Sequence, residues 1–345
     1  MAVLRMARRA VGCHRGEVPP AEFLDDATGR AALVEHVGKS GAALERLTLA
    51  DGRTVVVKRI TPETDATLAV LDQPVGQELL LWRSGGLDRL PEGVGHAVVD
   101  GWTEGEDTTV IVMRDLGDAV LTWDDRLDAS RCRWMLERVA ALHRAYLGDP
   151  PVAVAPLVPM LDMFAPARIA ALARDGNELL AAALRGWEYF GDPALVPPDV
   201  SEAVFALHAD VRPLADALAS GPVTLAHGDL ATVNMAFEGD RLVLLDWSMP
   251  TAAPGGVDVA RFLVGCSHVV DVHPDEVIEV YRRAAGPAYD EESMRLALLS
   301  ALGWLGWNKT LDIVESDEEA VRERERASLG WWVEQARKVI GRGAV

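Results

Sequence analysis

The chain has 345 residues, 49% hydrophobic and 25% charged, the balance of a folded globular protein, which argues against disorder on a large scale. Its net charge of −19 argues against a nucleic-acid partner, whose phosphates require a basic surface, and would suit a cationic ligand, although acidity for solubility is the commoner reason for such a charge. The longest uncharged run, Leu296–Asn308, falls short of the roughly 18 apolar residues of a membrane span, so no membrane association is expected.

Arg5, Arg8, Arg9 and Arg15 precede no apolar stretch, so residues 1–32 read as a basic, frayed helical segment rather than a targeting signal. Three cysteines far apart (Cys13, Cys132, Cys266) suggest neither a disulfide framework nor a thiolate zinc site, and a cytoplasmic location follows. Residues 33–115 read as strands. Leu33–Val37 and Ala43–Leu49 flank Gly38-Lys39-Ser40-Gly41, and Asp51-Gly52 is a two-residue hairpin signal before Thr54–Ile60. Asp72 and Pro74 open a helix that runs through Arg83 and closes at Gly85-Gly86. Ala97–Thr103 and Thr108–Arg114, joined by Glu104-Gly105-Glu106-Asp107, form a further hairpin. The expected product is a small antiparallel sheet with one helix.

From 116 to 345 the pattern is helical. Ser130–Tyr146, Ser201–Ala219 and Glu276–Ala285 carry apolar residues at helical spacing, and the Pro-rich run 150–159 is a connector. One β island interrupts them, Val223–Trp247. Its two short strands, Met235-Ala236-Phe237 and Arg241–Leu245, turn at Glu238-Gly239-Asp240, with His227-Gly228-Asp229 and Asn234 before the first strand and Asp246-Trp247 after the second.

Phosphoryl transfer from a nucleoside triphosphate needs one carboxylate to orient the attacking hydroxyl and take its proton, and further hard oxygens to hold magnesium against the phosphates. Asp229 suits the first task, Asn234 and Asp246 the second. His227-Gly228-Asp229, with Asn234 five residues after the aspartate and Asp246-Trp247 seventeen after it, resembles the catalytic and metal-binding motifs of the aminoglycoside phosphotransferase family, distant relatives of protein kinases. The resemblance implies an α+β, bilobal protein-kinase-like fold: a β-sheet nucleotide-binding lobe over residues 33–115 and a helical catalytic and substrate lobe over 116–345.

It also implies roles elsewhere. Lys58, ending Val55-Val56-Val57, would position the phosphates and pair with Glu78 on the following helix; Gly38, Lys39, Ser40 and Gly41 would cover the nucleotide; Met113, Asp115 and Leu116 would form the hinge that grips adenine. Asp258-Val259-Ala260-Arg261 resembles the family's helix start after the metal aspartate, where Asp258 is expected to be a structural hydrogen-bonding residue, as is His227. Ala231-Thr232 departs from the family's usual loop. The implied cofactors are ATP, or GTP, and Mg2+. The implied substrate is a hydroxylated small molecule, an aminoglycoside or other antibiotic inactivated by phosphorylation, and the implied assembly is a monomer or homodimer. Asp271, Trp304, Trp307, Asp312 and Glu315 are the candidate substrate residues, through ion pairs and cation–π contacts. The alternatives are a kinase of a metabolic alcohol or sugar, a nucleotide-binding pseudokinase, and a metal-dependent hydrolase; the last leaves Lys58 and Glu78 without a role.

Overall fold

A computed structural model of the protein describes Leu24 and residues 27–33, 42–71, 73–172 and 177–341. The Gly38–Gly41 loop, Cys13 and Asp72 lie outside the described residues. Described strands β1 (Gly29–Ala32), β2 (Ala43–Thr48), β3 (Thr54–Ile60), β5 (Val98–Glu104) and β6 (Thr108–Arg114) form one antiparallel sheet in the order β1-β2-β3-β6-β5. The β2–β3 turn is one residue longer than a two-residue hairpin: Leu49 N–H bonds Arg53 O around Ala50-Asp51-Gly52, and Gly52 takes φ +84°.

Period-two alternation decides where Lys58 goes. Val55 and Val57 face a small core with Leu47, Trp102, Val110 and Val112. Lys58, on the opposite face, lies across from Ile111, which packs in the main core with Leu79 of helix α2 (Gln77–Arg83). Among the described residues of the helix expected from Asp72 to Arg83, only Gln77–Arg83, α2, is helical, and a separate helix, α1 (Ala66–Leu71), precedes it. Gly76 is extended (ψ 132°) and gives its N–H to Thr109 Oγ1 at 2.9 Å, which ties the start of α2 to the sheet.

Strand β4 (Val94–His96) leaves this lobe and pairs parallel with β9 (Arg241–Leu244), which pairs antiparallel with β8 (Met235–Glu238). Strand β7 (Val223–Ala226) pairs with β10 (Thr251–Pro254). Around them pack α3 (Ala129–Ala145), α4 (Leu157–Leu161), α5 (Pro166–Leu172), α6 (Glu178–Phe190), α7 (Pro198–Ala209), α8 (Arg212–Ala219), α9 (Gly256–Cys266), α10 (Pro274–Ala285), α11 (Glu291–Glu315) and α12 (Glu319–Ile340). The expected helix Ser201–Ala219 is broken at Asp210, whose backbone is extended, because Pro213 in the next turn lacks the N–H that would continue the first helix. The Pro-rich connector ends in α4. Among the described residues no helix is long and apolar enough to cross a membrane. The fold is α+β and bilobal.

Candidate active site

Strand β7 delivers the chain into His227-Gly228-Asp229, and the start of α9 fixes that loop from below. Asp258, fully buried, accepts the amides of His227 (2.7 Å, Oδ2) and Gly228 (2.8 Å, Oδ1). Its Oδ2 also meets His143 Nε2 at 3.0 Å, and His143 Nδ1 meets the Tyr281 hydroxyl at 2.7 Å. Burial pushes the Asp258 carboxyl up, but the hydrogen bond and charge of His143 outweigh it and hold the group below the usual carboxylate range. His227 is buried, with Nε2 at 2.8 Å from Leu245 O and its ring against Trp247. It braces the loop.

Beyond Asp229 the chain makes a short 3₁₀ turn, Thr232–Asn234. Asn234 Nδ2 donates to Asp229 O (2.8 Å) and Oδ2 (3.1 Å). Two acceptors on one side fix the amide's orientation, so its carbonyl oxygen is the atom left for another partner. The other Asp229 oxygen, Oδ1, lies 2.7 Å from Arg261 Nη2. That contact is an ion pair without hydrogen-bond alignment, so Oδ1 keeps an unused lone pair although it is buried.

Strand β9 ends beside this loop, where Leu245 N–H bonds Asn234 O at 2.9 Å. Asp246 follows with φ +55°, the one positive φ outside glycine among the described residues. An aspartate tolerates that left-handed conformation better than most side chains. Lys58 Nζ lies 2.5 Å from Asp246 Oδ1 and 3.4 Å from Glu78 Oε2. Burial works against the Lys58 charge, but Asp246 and Glu78 outweigh it and hold the pKa above the ordinary lysine range. Burial raises the Glu78 pKa. For Asp246 burial acts upward, and the Lys58 charge overrides it to leave the carboxylate low and ionised.

Asp229, Asn234 and Asp246 open on one cleft of about 940 Å³. It is also lined by the apolar Met163, Phe164, Leu180, Trp304 and Trp307 and by the charged Lys309, Asp312 and Glu325. Of the five candidate substrate residues, Trp304, Trp307 and Asp312 line this cleft. Both tryptophans are buried, 7% and 2% exposed, and pack on Phe164, so they present no open faces. Asp271 and Glu315 are elsewhere. Asp271 is ion-paired with Arg126, and Glu315 takes the Arg185 guanidinium through two 2.8 Å bonds and the Tyr189 hydroxyl. Met113, near the end of β6, and Asp115 and Leu116, just after it, do not line the cleft; Asp115 pairs with Arg46 at 2.7 Å.

Sequence reasoning missed Arg261. The signal was present, since Asp258 and Arg261 are three residues apart on α9 and so share the face that meets the loop.

A family model described as the phosphotransferase enzyme family matches residues 46–296. Among curated proteins none matches the chain. Among solved structures, an aminoglycoside phosphotransferase from Alicyclobacillus acidocaldarius is similar at 14% identity, with 95% of this chain and 96% of that one covered and a TM-score of 0.50. A Streptomyces rimosus aminoglycoside phosphotransferase, in complex with ADP and streptomycin, is 19% identical over 83% of this chain and 99% of its own, with a TM-score of 0.48. A macrolide 2'-phosphotransferase from Brachybacterium faecium is 17% identical over 95% and 97%, with a TM-score of 0.44. At such identities structural likeness speaks to fold alone. The family match spans most of the chain, and the chain belongs to the phosphotransferase enzyme family, as a kinase-type phosphotransferase with a hydroxyl acceptor.

Proposed function

We propose that the protein is an ATP-dependent small-molecule O-phosphotransferase that moves the γ-phosphate of ATP to a hydroxyl of an aminoglycoside or other hydroxylated antibiotic. The observation that carries the reading is the convergence of Asp229, Asn234 and Asp246 on one cleft, with the Lys58 ammonium 2.5 Å from Asp246. Asp229 orients the acceptor hydroxyl and receives its proton at Oδ1, the oxygen left without a hydrogen bond. Lys58, held between two carboxylates, presents its charge to the phosphate oxygens.

The Asp246 carboxylate and the Asn234 carbonyl oxygen are hard donors at one side of the cleft, and this donor set fits magnesium. When bound, the ion would neutralise charge on the triphosphate. A metabolic alcohol or sugar is the second acceptor class. It is favoured by the position of Asp271 and Glu315, which leaves two of the expected ammonium-binding carboxylates outside the cleft and already paired.

Asp229→Asn tests the reading. ATP with Mg2+ should still raise the melting temperature of the variant, while ADP release with an accepted hydroxyl compound should fall by about 10²–10⁴-fold. Undiminished turnover would remove Asp229 from its proposed role.

A further inference from the structure

Arg261 sits in a cradle made for it. Its guanidinium lies 4.7 Å over the Trp304 ring and 2.7 Å from Asp229, and the residue is 9% exposed. One turn on, Gly265 leaves bare the space in which a Cβ would come within 2.3 Å of Arg261 Nη1. Arg261 Nε and Nη1 find no acceptor among the described residues, and neither do the buried indole N–H groups of Trp304 and Trp307. Buried donors left unmade are costly, and these four belong to residues that line the substrate cleft, where an acceptor from outside the chain would satisfy them.

Carboxylates also line this cleft, and Glu325 among them is ion-paired. Glu325 is held by Lys309 at 3.0 Å and Arg324 at 2.9 Å, and Asp312 accepts the Asn308 amide at 2.9 Å. Glu63 and Glu178 are exposed. Beside the reacting hydroxyl stands the Arg261 guanidinium, 2.7 Å from Asp229. An oxygen anion there would meet donors.

Resting on the phosphotransfer reading above, we propose that Arg261 is a specificity-determining residue that receives an oxygen anion of the acceptor, in its simplest form a carboxylate, next to the reacting hydroxyl. The acceptor is then a hydroxy compound with an oxygen anion beside its reacting hydroxyl and an apolar body against Phe164 and Met163. In the step it undergoes, the acceptor oxygen bonds to the γ-phosphorus as that phosphorus parts from the β–γ bridging oxygen. The hydroxyl proton goes to Asp229, and ADP leaves with the bridging oxygen.

Three aryl alcohols that share a benzylic hydroxyl and differ only beside it test this with the full chain, ATP and Mg2+: mandelate, neutral 1-phenylethanol and 2-amino-1-phenylethanol. ADP release should favour mandelate over the ammonium compound by about tenfold or more in kcat/KM, the size of one charge-assisted hydrogen bond. Arg261→Gln should erase that preference, lowering the mandelate value about tenfold relative to the 1-phenylethanol value, and Arg261→Lys should keep part of it. A loss common to all three alcohols would mean that Arg261 only props Asp229, and equal or better use of the ammonium compound would reverse the charge; either result overturns the proposal. If no alcohol is turned over, tryptophan fluorescence must still respond to millimolar mandelate and not to 2-amino-1-phenylethanol, and silence to both overturns it as well. Failure of ATP to stabilise the wild-type protein would instead sink the phosphotransfer reading, while the mandelate response would still report on Arg261.

Discussion

Lys58 Nζ lies 2.5 Å from Asp246 Oδ1, joining residues 188 apart in the chain and closing the seam between the sheet lobe and the catalytic hairpin. Lys58 and Glu78 are both buried, so truncating the lysine leaves an uncompensated carboxylate in the interior. Lys58→Met should cost about 3–5 kcal/mol in urea unfolding, the range for breaking a buried pair from one side. Lys58→Met with Glu78→Leu should recover much of that stability without recovering phosphotransfer. A double variant no more stable than the single one would show that Glu78 carries no buried charge.

Asp258 holds the catalytic loop through two backbone amides, and Asn in its place would turn an N–H toward one of them. Asp258→Asn should lose about 2–4 kcal/mol at neutral pH and lower kcat through the displaced loop. The pH dependence has a definite sign. The folded pKa of Asp258 is below its ordinary value of 3.8, so its contribution is present above that value and is lost as the pH falls through the folded pKa. The stability gap between wild type and Asp258→Asn should therefore narrow below about pH 4. Urea unfolding across the acid range measures the gap, and a gap that widened in acid would mean that Asp258 is buried in its neutral form.

Much of this arrangement is legible in the sequence because its parts are local. The catalytic loop and the end of β9 lie within one hairpin, so their spacing survives without knowledge of the tertiary fold. Strands β3 and β6 follow the β-branched runs at Thr54–Ile60 and Thr108–Arg114 to the residue. What the sequence hides is set by partners far away. Asp271 and Glu315 look like free acids along the chain, but Arg126 and Arg185, 145 and 130 residues earlier, hold them outside the cleft. Arg261 looks like an ordinary helix charge until α9 is docked under the loop. The break between α7 and α8 is masked by alanine, which suits a helix on both sides of Pro213.

Gly228 takes φ +83°, and a Cβ there would lie 1.9 Å from Met249 O. Backbone cannot move aside as a side-chain tip can, so Gly228→Ala adds a collision to a conformation that alanine resists. We expect a loss of about 2–4 kcal/mol with a fall in kcat, because the residue directly precedes Asp229. Unfolding midpoints and ADP-release kinetics measure the two effects, and wild-type values for both would contradict this path for the loop.

Lys309 and Glu325, which line the cleft, join α11 to α12, with Nζ 3.0 Å from Oε2 and both side chains nearly inaccessible. Burial pushes the Glu325 carboxyl up, and the Lys309 charge overrides it and holds the group low. Lys309→Met should destabilise by about 3–5 kcal/mol, less whatever Arg324 compensates by its own 2.9 Å contact to Glu325. Adding Glu325→Leu should return most of the loss, because two apolar chains fill the space without desolvated charge. A double-mutant cycle in urea gives the coupling directly. A value near zero would mean that Arg324 alone neutralises Glu325, which would leave Lys309 as a spare cation in the cleft and strengthen the case for an anionic acceptor.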